Sequence, residues 1–185
     1  MNSKKPLAGQ KIAALAADGF EYSELTEPKR ILEEAGAIVE VISPGDAKQI
    51  RGWKGGDWAD AVKVDRSLEK TDAAEYEALL LPGGVMNPDK LRTEPEAVAL
   101  VRAFGKANKP IAAICHGPWT LIDAEQVKGR KVTSWPSIRK DLENAGARWE
   151  DHEVVQDGNL ITSRKPDDIP AFSRTLIDAL TAGTT

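Results

Sequence analysis

The segment most informative about the fold is Pro110-Ile-Ala-Ala-Ile-Cys-His-Gly-Pro-Trp119. Its short apolar run is typical of a buried parallel strand, and Gly117 and Pro118 favour a sharp turn that leads into a helix. The single cysteine of the chain, Cys115, therefore falls in a strand-to-helix turn. Such a turn lifts the side chain out of the sheet, and a helix N-terminus favours the thiolate over the thiol. The stretch predicts a nucleophile at Cys115, the plainer alternative being a buried free cysteine.

Apolar segments on both sides of this turn alternate with amphipathic ones. Buried strands are predicted from short apolar runs at 11–17, 38–43, 78–81 and 110–114. Helices are predicted at 23–35, 94–107 (with Thr93 as N-cap), 117–124, 137–145 and 169–180. Two hairpins are predicted, one at a sheet edge around Gly55-Gly56 and one over 148–163 that turns at Asp157-Gly158. The alternation predicts a three-layer α/β sandwich with a mainly parallel sheet, whose sites lie beyond the carboxyl ends of the strands.

Bulk composition limits the class of protein. The 185 residues have a formal net charge of −4 and a pI near 5.3, which argues against nucleic acid as the main partner. One cysteine allows no intramolecular disulfide, and no signal peptide or membrane-length apolar segment is visible, so we expect a cytoplasmic protein with one domain over 1–185. The two histidines lack metal-ligand spacing with the cysteine, and no Gly-x-Gly-x-x-Gly occurs. Neither a metal nor another cofactor is predicted.

Motifs at the ends of the predicted strands resemble those of the ThiJ/PfpI superfamily, and specifically its PfpI-like branch. They are Phe20-Glu-Tyr-Ser-Glu-Leu25, Leu81-Pro-Gly-Gly84 and Ala113-Ile-Cys-His-Gly-Pro118, continued by 129–134, 144–146 and 157–164. The resemblance implies a flavodoxin-like fold, related to class I glutamine amidotransferases, with a cysteine at a nucleophile elbow. It also implies a homo-oligomer, a dimer or larger, with active sites near the subunit interfaces. A fold by itself does not choose among activities.

Two carboxylates follow the first predicted strand. The resemblance places Glu24 against the cysteine sulfur. Two bare anions at that distance would repel each other, so we expect Glu24 to have a raised pKa and to hold a proton that it donates to sulfur or moves to a carbonyl substrate. Glu21, in the same loop, is the second candidate for this acid/base role. The plainer interpretation is that Glu24 is an ordinary helix-start carboxylate.

The resemblance also assigns His116 as the imidazole of the site, oriented by an acidic residue of a neighbouring subunit. The matching stretch, 87–91, carries Asp89 where better-known members carry Glu, and its shorter side chain leaves an intersubunit Cys-His-Asp triad open. Another branch places a histidine where this chain has Trp135. His152 has acidic neighbours in a predicted hairpin, so we expect it at the surface. The late His-x-Glu pair of glutamine amidotransferases is absent from the sequence.

Glycines and tryptophans complete the predicted site. Gly83 and Gly84, together with the backbone amide of His116, are predicted to bind a developing oxyanion. Gly117 and Trp119 belong to the same oxyanion and substrate-binding set, and Trp119 and Trp135 are expected to line the pocket. Core packing explains such tryptophans equally well.

The activities that the resemblance to the ThiJ/PfpI superfamily implies leave three functions open. The first is a cysteine hydrolase of stress protection that removes methylglyoxal or glyoxal adducts or converts free methylglyoxal to lactate, so its substrate is a small carbonyl compound or a glycated molecule. The second is an intracellular cysteine peptidase that uses the intersubunit triad. The third is a non-enzymatic stress protein or chaperone whose Cys115 responds to oxidation.

Overall fold

The structure is a computed structural model that describes residues 5–183. Its strands, in chain order, are β1 (Lys11–Leu15), β2 (Phe20–Glu21), β3 (Ile38–Ser43), β4 (Gln49–Lys54), β5 (Asp57–Lys63), β6 (Arg66–Ser67), β7 (Ala78–Leu81), β8 (Ile111–Ile114), β9 (Lys131–Val132), β10 (Arg148–Trp149), β11 (Val155–Asp157) and β12 (Leu160–Ser163). Its α-helices are α1 (Tyr22–Glu34), α2 (Met86–Leu91), α3 (Pro95–Lys106), α4 (Pro118–Asp123), α5 (Arg139–Asn144) and α6 (Ile169–Ala182). Short 3-10 helices cover Leu68–Lys70, Ala73–Glu75, Pro136–Ile138 and Pro166–Asp168.

The central sheet has the order β11-β12-β8-β7-β1-β3-β6 among the described residues. Its pairs are parallel except at one edge, where β11 runs antiparallel to β12. Parallel strands need crossover connections, and helices supply them on both faces of the sheet. The predicted three-layer α/β sandwich, flavodoxin-like with a mainly parallel sheet, is confirmed.

Two apolar clusters fill the space between the sheet and its helices. Successive side chains of β1 alternate between them: Ala13 and Leu15 belong to one cluster, Ile12 and Ala14 to the other. Helices α3, α4 and α5 cover the first cluster, and α1 and α6 cover the second. The sheet is therefore buried on both faces, which explains the continuous apolar runs of its central strands.

Helix α3 shows how the local sequence determines the buried face of a helix and the residue at which it begins. Its apolar side chains recur at helical spacing and are all buried: Ala97, Leu100, Val101 and Phe104. Pro95 begins the helix, as its fixed φ favours. The N-cap is Glu94, and the prediction of Thr93 was wrong. The Thr93 hydroxyl instead donates a hydrogen bond to the carbonyl of Lys90 in the preceding helix, and the helical conformation of α3 begins one residue later than predicted.

The segment after β3 forms a hairpin, β4–β5, but not at the edge of the central sheet. Strand β4 pairs instead with β2 in a small separate sheet, with Phe20 opposite Gly52. A β-carbon on Gly52 would lie 3.0 Å from a ring carbon of Phe20 and from one of Tyr22, so glycine admits both rings there. This pairing brings the hairpin to the end of β1, which the sequence did not predict.

The second predicted hairpin is shorter than expected. Strands β11 and β12 pair around Gly158, whose φ is +57°, whereas β10 leaves the hairpin to pair in parallel with β9. The segment predicted as a helix over 137–145 divides into a 3-10 turn and α5, since Pro136 begins the turn. In residues 5–183 we find no helix with the length and apolar character needed to span a bilayer.

Candidate active site

The elbow at the end of β8 holds Cys115 in a strained backbone conformation. Its φ is +63°, a left-handed value that is uncommon for a non-glycine residue. Hydrogen bonds fix it on both sides: its N–H donates to the carbonyl of Ser163 (3.0 Å), and its carbonyl accepts from the N–H of Trp135 (2.9 Å). A β-carbon on Gly117 would lie 2.6 Å from the carbonyl oxygen of Leu81, so the turn requires glycine there. Strain of this kind is kept where the surroundings enforce it.

The first turn of α1 carries Glu24 to the cysteine. Its side chain is fully buried, and Oε1 accepts a hydrogen bond of 3.0 Å from the N–H of Gly83. A β-carbon on Gly83 would lie 2.6 Å from Glu24 Oε1 and 2.7 Å from the β-carbon of Cys115. The absence of a side chain at Gly83 therefore allows carboxyl and cysteine to approach. The carboxyl interacts with the thiol, yet Oε2 makes no hydrogen bond of normal geometry with any described residue.

Burial raises the pKa of Glu24 to about 8, and the negative charge of Glu21 adds to the shift. The Gly83 N–H and the Cys115 thiol act in the opposite direction but do not overcome it. Glu24 therefore keeps its proton at neutral pH. The raised pKa was predicted, but its main cause is removal from water rather than repulsion by a thiolate.

The expectation that the helix N-terminus makes Cys115 a thiolate was wrong. Burial raises the pKa of the thiol, the charge of Glu24 raises it further, and the N–H groups of Gly84 and His116 lower it only in part. The helix that follows begins at Pro118, which has no N–H to offer. At neutral pH the carboxyl of Glu24 and the thiol of Cys115 therefore each hold a proton, and a neutral Glu24 removes the repulsion that opposes formation of the thiolate.

His116 lies against the sulfur from the other side. Its Nδ1 is 3.3 Å from Cys115 Sγ, and its Nε2 is 3.4 Å from the hydroxyl oxygen of Ser137. The imidazole contacts Trp119 edge-on and stacks on Trp135, with centroid distances of 5.2 and 6.2 Å. Burial lowers the pKa of His116, so the ring is neutral at pH 7. Adjacent residues make this contact because the elbow bends the backbone between them.

No acidic group of the described chain orients this imidazole. Within residues 5–183 the hydrogen-bonding partners of the His116 ring are Cys115 and Ser137, neither of them a carboxylate. Asp89 is exposed on α2, away from the cavity lining. A role for Asp89 would require a second subunit, so the triad stays a prediction. His152 is exposed, as expected.

In the glycine loop after β7, only one of the two predicted glycines, Gly84, has an N–H that is available for an oxyanion. The N–H of Gly83 is bound to Glu24, so it is not free to stabilise an oxyanion. The N–H groups of Gly84 and His116 both interact with Sγ and remain the donors for developing negative charge. Gly84 has a φ of +77°, and a β-carbon there would lie 2.5 Å from the carbonyl oxygen of Gly19. Glycine is therefore required at Gly84 by both conformation and space.

Asn87 is a site residue that sequence reasoning missed. It is fully buried, and its Oδ1 accepts a hydrogen bond of 2.7 Å from the N–H of Ala17. Its Nδ2 donates to the carbonyls of Pro82 (3.0 Å) and Gly83 (3.1 Å). One side chain thus joins the end of β1 to the glycine loop. Asparagine is common in exposed short helices, so nothing in the sequence pattern marked this one as buried.

A cavity of about 500 Å³ opens over the sulfur. The predicted residues that line it are Glu21, Glu24, Gly84, Cys115, His116 and Trp135. The lining residues that the sequence did not identify are Gly19, Trp53, Val85, Met86 and Pro166. Trp53 arrives on the β4–β5 hairpin, whose position depends on the unpredicted pairing with β2. Trp119 is not in the lining: it packs against His116 and donates its Nε1–H to Asp141 (2.8 Å).

Comparison with known proteins shows the family to which the chain belongs. The family model described as the DJ-1/PfpI family matches residues 10–179. A Bacillus subtilis protein, YraA, which its name assigns only provisionally as a cysteine protease, is 44% identical over 92% of this chain and 98% of its own. General stress protein 18 of Bacillus subtilis is 46% identical over 90% and 95%, and Protein/nucleic acid deglycase 2 of Escherichia coli is 44% identical over 94% and 99%.

A solved structure supports the same assignment. The crystal structure of a two-domain protein from Anabaena variabilis, with DJ-1/ThiJ/PfpI-like and ferritin-like domains, superposes with a TM-score of 0.88 at 35% identity. The match covers 92% of this chain and 48% of that longer one. With a family model over most of the chain and relatives above 40% identity along their whole length, this chain belongs to the DJ-1/PfpI family.

Proposed function

We propose that the protein is a cytosolic, cysteine-dependent hydrolase of stress protection that removes methylglyoxal or glyoxal from amines and thiols, and that converts free methylglyoxal to lactate at the same site. The observation that carries this proposal is the pair of Cys115 and protonated Glu24 at the base of a cavity of about 500 Å³. A relative of 44% identity named as a deglycase supports it.

The reaction balances without an external oxidant. Sγ of Cys115 displaces the carrier from the aldehyde-derived carbon of the adduct: the C–S bond forms as the bond to the carrier breaks, the thiol gives up its proton, and the leaving amine or thiol gains one. A proton then moves from this carbon to the neighbouring carbonyl carbon, so the first carbon is oxidised to a thioester and the second is reduced to an alcohol. Water hydrolyses the thioester and restores the thiol. The product is lactate from a methylglyoxal adduct and glycolate from a glyoxal adduct.

Glu24 suits both proton transfers. A carboxylic acid with a pKa of about 8 donates a proton to the leaving carrier, and the carboxylate that remains is a base for the C–H proton. The neutral imidazole of His116, with Nδ1 3.3 Å from Sγ, is the nitrogen base placed to take the thiol proton during attack. The backbone N–H groups of Gly84 and His116 stabilise the oxygen that gains negative charge.

A peptidase is the second candidate. The contact between Cys115 and His116 favours it, as does the provisional name of YraA. It requires the triad to be completed by Asp89 of another subunit. We accordingly propose a homo-oligomer, a dimer or larger, with the cavity near the interface, since Val85 and Met86 at the start of α2 are 54% and 43% exposed beside it.

The test is lactate release from methylglyoxal, and from methylglyoxal adducts of an amine and a thiol, by the wild type and Cys115→Ala in parallel. We expect lactate from the wild type, none above the uncatalysed rate from Cys115→Ala, and the same unfolding midpoint for both proteins. Equal lactate from both proteins would refute the proposal. Absence of lactate from both, together with cleavage of casein by the wild type alone, would favour the peptidase.

A further inference from the structure

The ionisable side chains that line the cavity are either acidic or neutral. Its lining contains the carboxyl groups of Glu21 and Glu24 and the neutral imidazole of His116, and in the part of the chain that the structure describes it contains no lysine or arginine. Cations occur close by but are directed elsewhere. The guanidinium of Arg51 lies over the ring of Trp58, and Lys165 is paired with Asp167 at 3.7 Å.

An anionic group that entered this cavity would lose water without gaining a counter-charge. Removing an unpaired carboxylate or phosphate from water is unfavourable even after relaxation of the protein. Neutral groups avoid that cost. Cationic groups are favoured by the carboxylate of Glu21 and by the indole rings of Trp53 and Trp135, because aromatic faces attract cations.

We propose that the cavity selects its substrates by charge, accepting adducts on neutral or cationic carriers and rejecting those with a carboxylate or phosphate beside the reacting carbon, and that Glu21 is the residue that sets this selection. The inference rests on the proposed function for the identity of the substrates. The charge selection itself is a property of the cavity and can be measured without turnover.

Glu21 carries the selection rather than Glu24. Glu24 is fully buried and neutral at neutral pH, so it presents a hydrogen bond rather than a charge. Glu21 is partly exposed at the start of α1; burial raises its pKa, but solvent still reaches its carboxylate, and none of the ion pairs among the described residues involves it. Its charge acts on the side chain of Glu24, the carboxyl group that interacts with the Cys115 thiol. The backbone N–H of Glu21 donates to the Gly83 carbonyl (3.3 Å), so its position is tied to the glycine loop.

Alkylation by a matched pair of reagents tests the selection directly. Iodoacetamide and iodoacetate have nearly the same shape and differ by one negative charge, and the chain has a single cysteine, so intact mass reports reaction at Cys115 alone. The ratio of the two rates is divided by the same ratio for N-acetylcysteine amide at the same pH and low salt. We expect the protein to prefer the neutral reagent by about tenfold beyond the free thiol, and added salt to reduce this preference.

Two variants identify the source of the preference. Glu21→Gln removes the charge at nearly constant volume, and we expect it to lower the normalised ratio most of the way to 1. Glu27→Gln makes the same change on the exposed surface of α1, where Glu27 pairs with Arg30, and should leave the ratio at the wild-type value. A wild-type ratio near 1, or a Glu21→Gln ratio equal to that of the wild type, would overturn the proposal.

A turnover assay separates this inference from the proposed function. Methylglyoxal is presented as its hemithioacetal with 3-mercaptopropionate, 3-mercaptopropionamide and thiocholine, which are anionic, neutral and cationic, at equal measured concentrations of adduct. We expect kcat/KM for lactate to be about tenfold lower for the anionic carrier than for the other two. Equal kcat/KM for all three overturns the charge selection and leaves the hydrolase standing. Lactate from none of them overturns the hydrolase, while the alkylation ratio still decides the selection.

Discussion

The groups on the two sides of the Cys115 sulfur differ in how firmly the surrounding residues hold them. On the carboxyl side, Glu24 is fully buried, bound by the N–H of Gly83 and held at a pKa of about 8. On the imidazole side, His116 is partnered by the hydroxyl of Ser137 at 3.4 Å, and no carboxylate of residues 5–183 orients it. A group that must transfer protons is usually fixed by its surroundings. The described chain therefore contains a complete carboxyl–thiol pair but no acidic partner for His116.

Replacing the proton-donating carboxyl of Glu24 tests the difference between the two sides most directly, and we expect it to have the largest effect. Glu24→Gln keeps the volume and the hydrogen bond from Gly83 but cannot transfer a proton. We expect lactate formation to fall about 100-fold or more, which is the usual contribution of a positioned acid/base. The assay is kcat/KM for lactate, with intact mass after iodoacetamide treatment to show that Cys115 is still present and accessible. A loss smaller than threefold would exclude Glu24 as the acid/base.

The same residue makes a prediction for stability. Glu24 titrates near its ordinary value of 4.5 when the chain is unfolded and at about 8 when it is folded. Between these values the folded protein holds a proton that the unfolded chain has lost, so the free energy of unfolding decreases as pH rises from about 4.5 to about 8. The slope from this group approaches 1.4 kcal/mol per pH unit at most. Urea unfolding at several pH values should show a shallower decrease in Glu24→Gln, and parallel curves for the two proteins would contradict the raised pKa.

Asn87 offers an indirect test of the carboxyl side, because its side chain holds the glycine loop whose Gly83 N–H binds Glu24. Asn87→Ala leaves the N–H of Ala17 and the carbonyls of Pro82 and Gly83 without partners, and we expect a loss of about 2–4 kcal/mol in the free energy of unfolding. As a positioning residue it should also lower kcat more than it raises KM. The control is Asn144→Ala, at an exposed position of α5. Asn87→Asp keeps the acceptor for Ala17 but places a carboxylate oxygen against the carbonyls of Pro82 and Gly83, so we expect it to recover none of the stability.

Removing the imidazole should cost less than removing the acid. In His116→Gln the thiol loses a nearby base, but Glu24 and the N–H of Gly84 stay in place, so we expect lactate formation to fall about tenfold. Any cleavage of casein should disappear completely, since that reaction depends on the histidine. If lactate formation falls as far in His116→Gln as in Glu24→Gln, the imidazole contributes as much to the reaction as the carboxyl group, which would contradict this prediction.

The smallest effect is expected at Asp89. Because its side chain is exposed and does not contact His116 within the subunit, Asp89→Ala should change lactate formation less than twofold. Casein cleavage should be abolished if an intersubunit triad exists. Equal loss of both activities would show that Asp89 supports the lactate chemistry as well, and sedimentation of the wild type and the variant would tell whether the proposed oligomer forms and depends on Asp89.

Much of the site follows from short stretches of sequence. The elbow at Cys115 was predictable because an apolar run followed by His-Gly-Pro admits few backbone paths. The closeness of Glu24 was predictable only through resemblance, because its 91 positions of separation from the cysteine carry no local signal. The direction of the thiol's pKa was not predictable, since it depends on how much water the folded chain excludes from Cys115 and Glu24.

Local conformational preferences and the periodicity of apolar residues are enough to specify the alternation of strands and helices, the elbow and the glycine beside it. The other features of the site depend on contacts between segments that are distant in the chain. Tertiary structure brought Trp53 to the cavity through the pairing of β2 with β4, assigned the N–H of Gly83 to Glu24, and buried Asn87 between two loops. These features arise where segments distant in sequence share hydrogen bonds and exclude water, and no single segment specifies them.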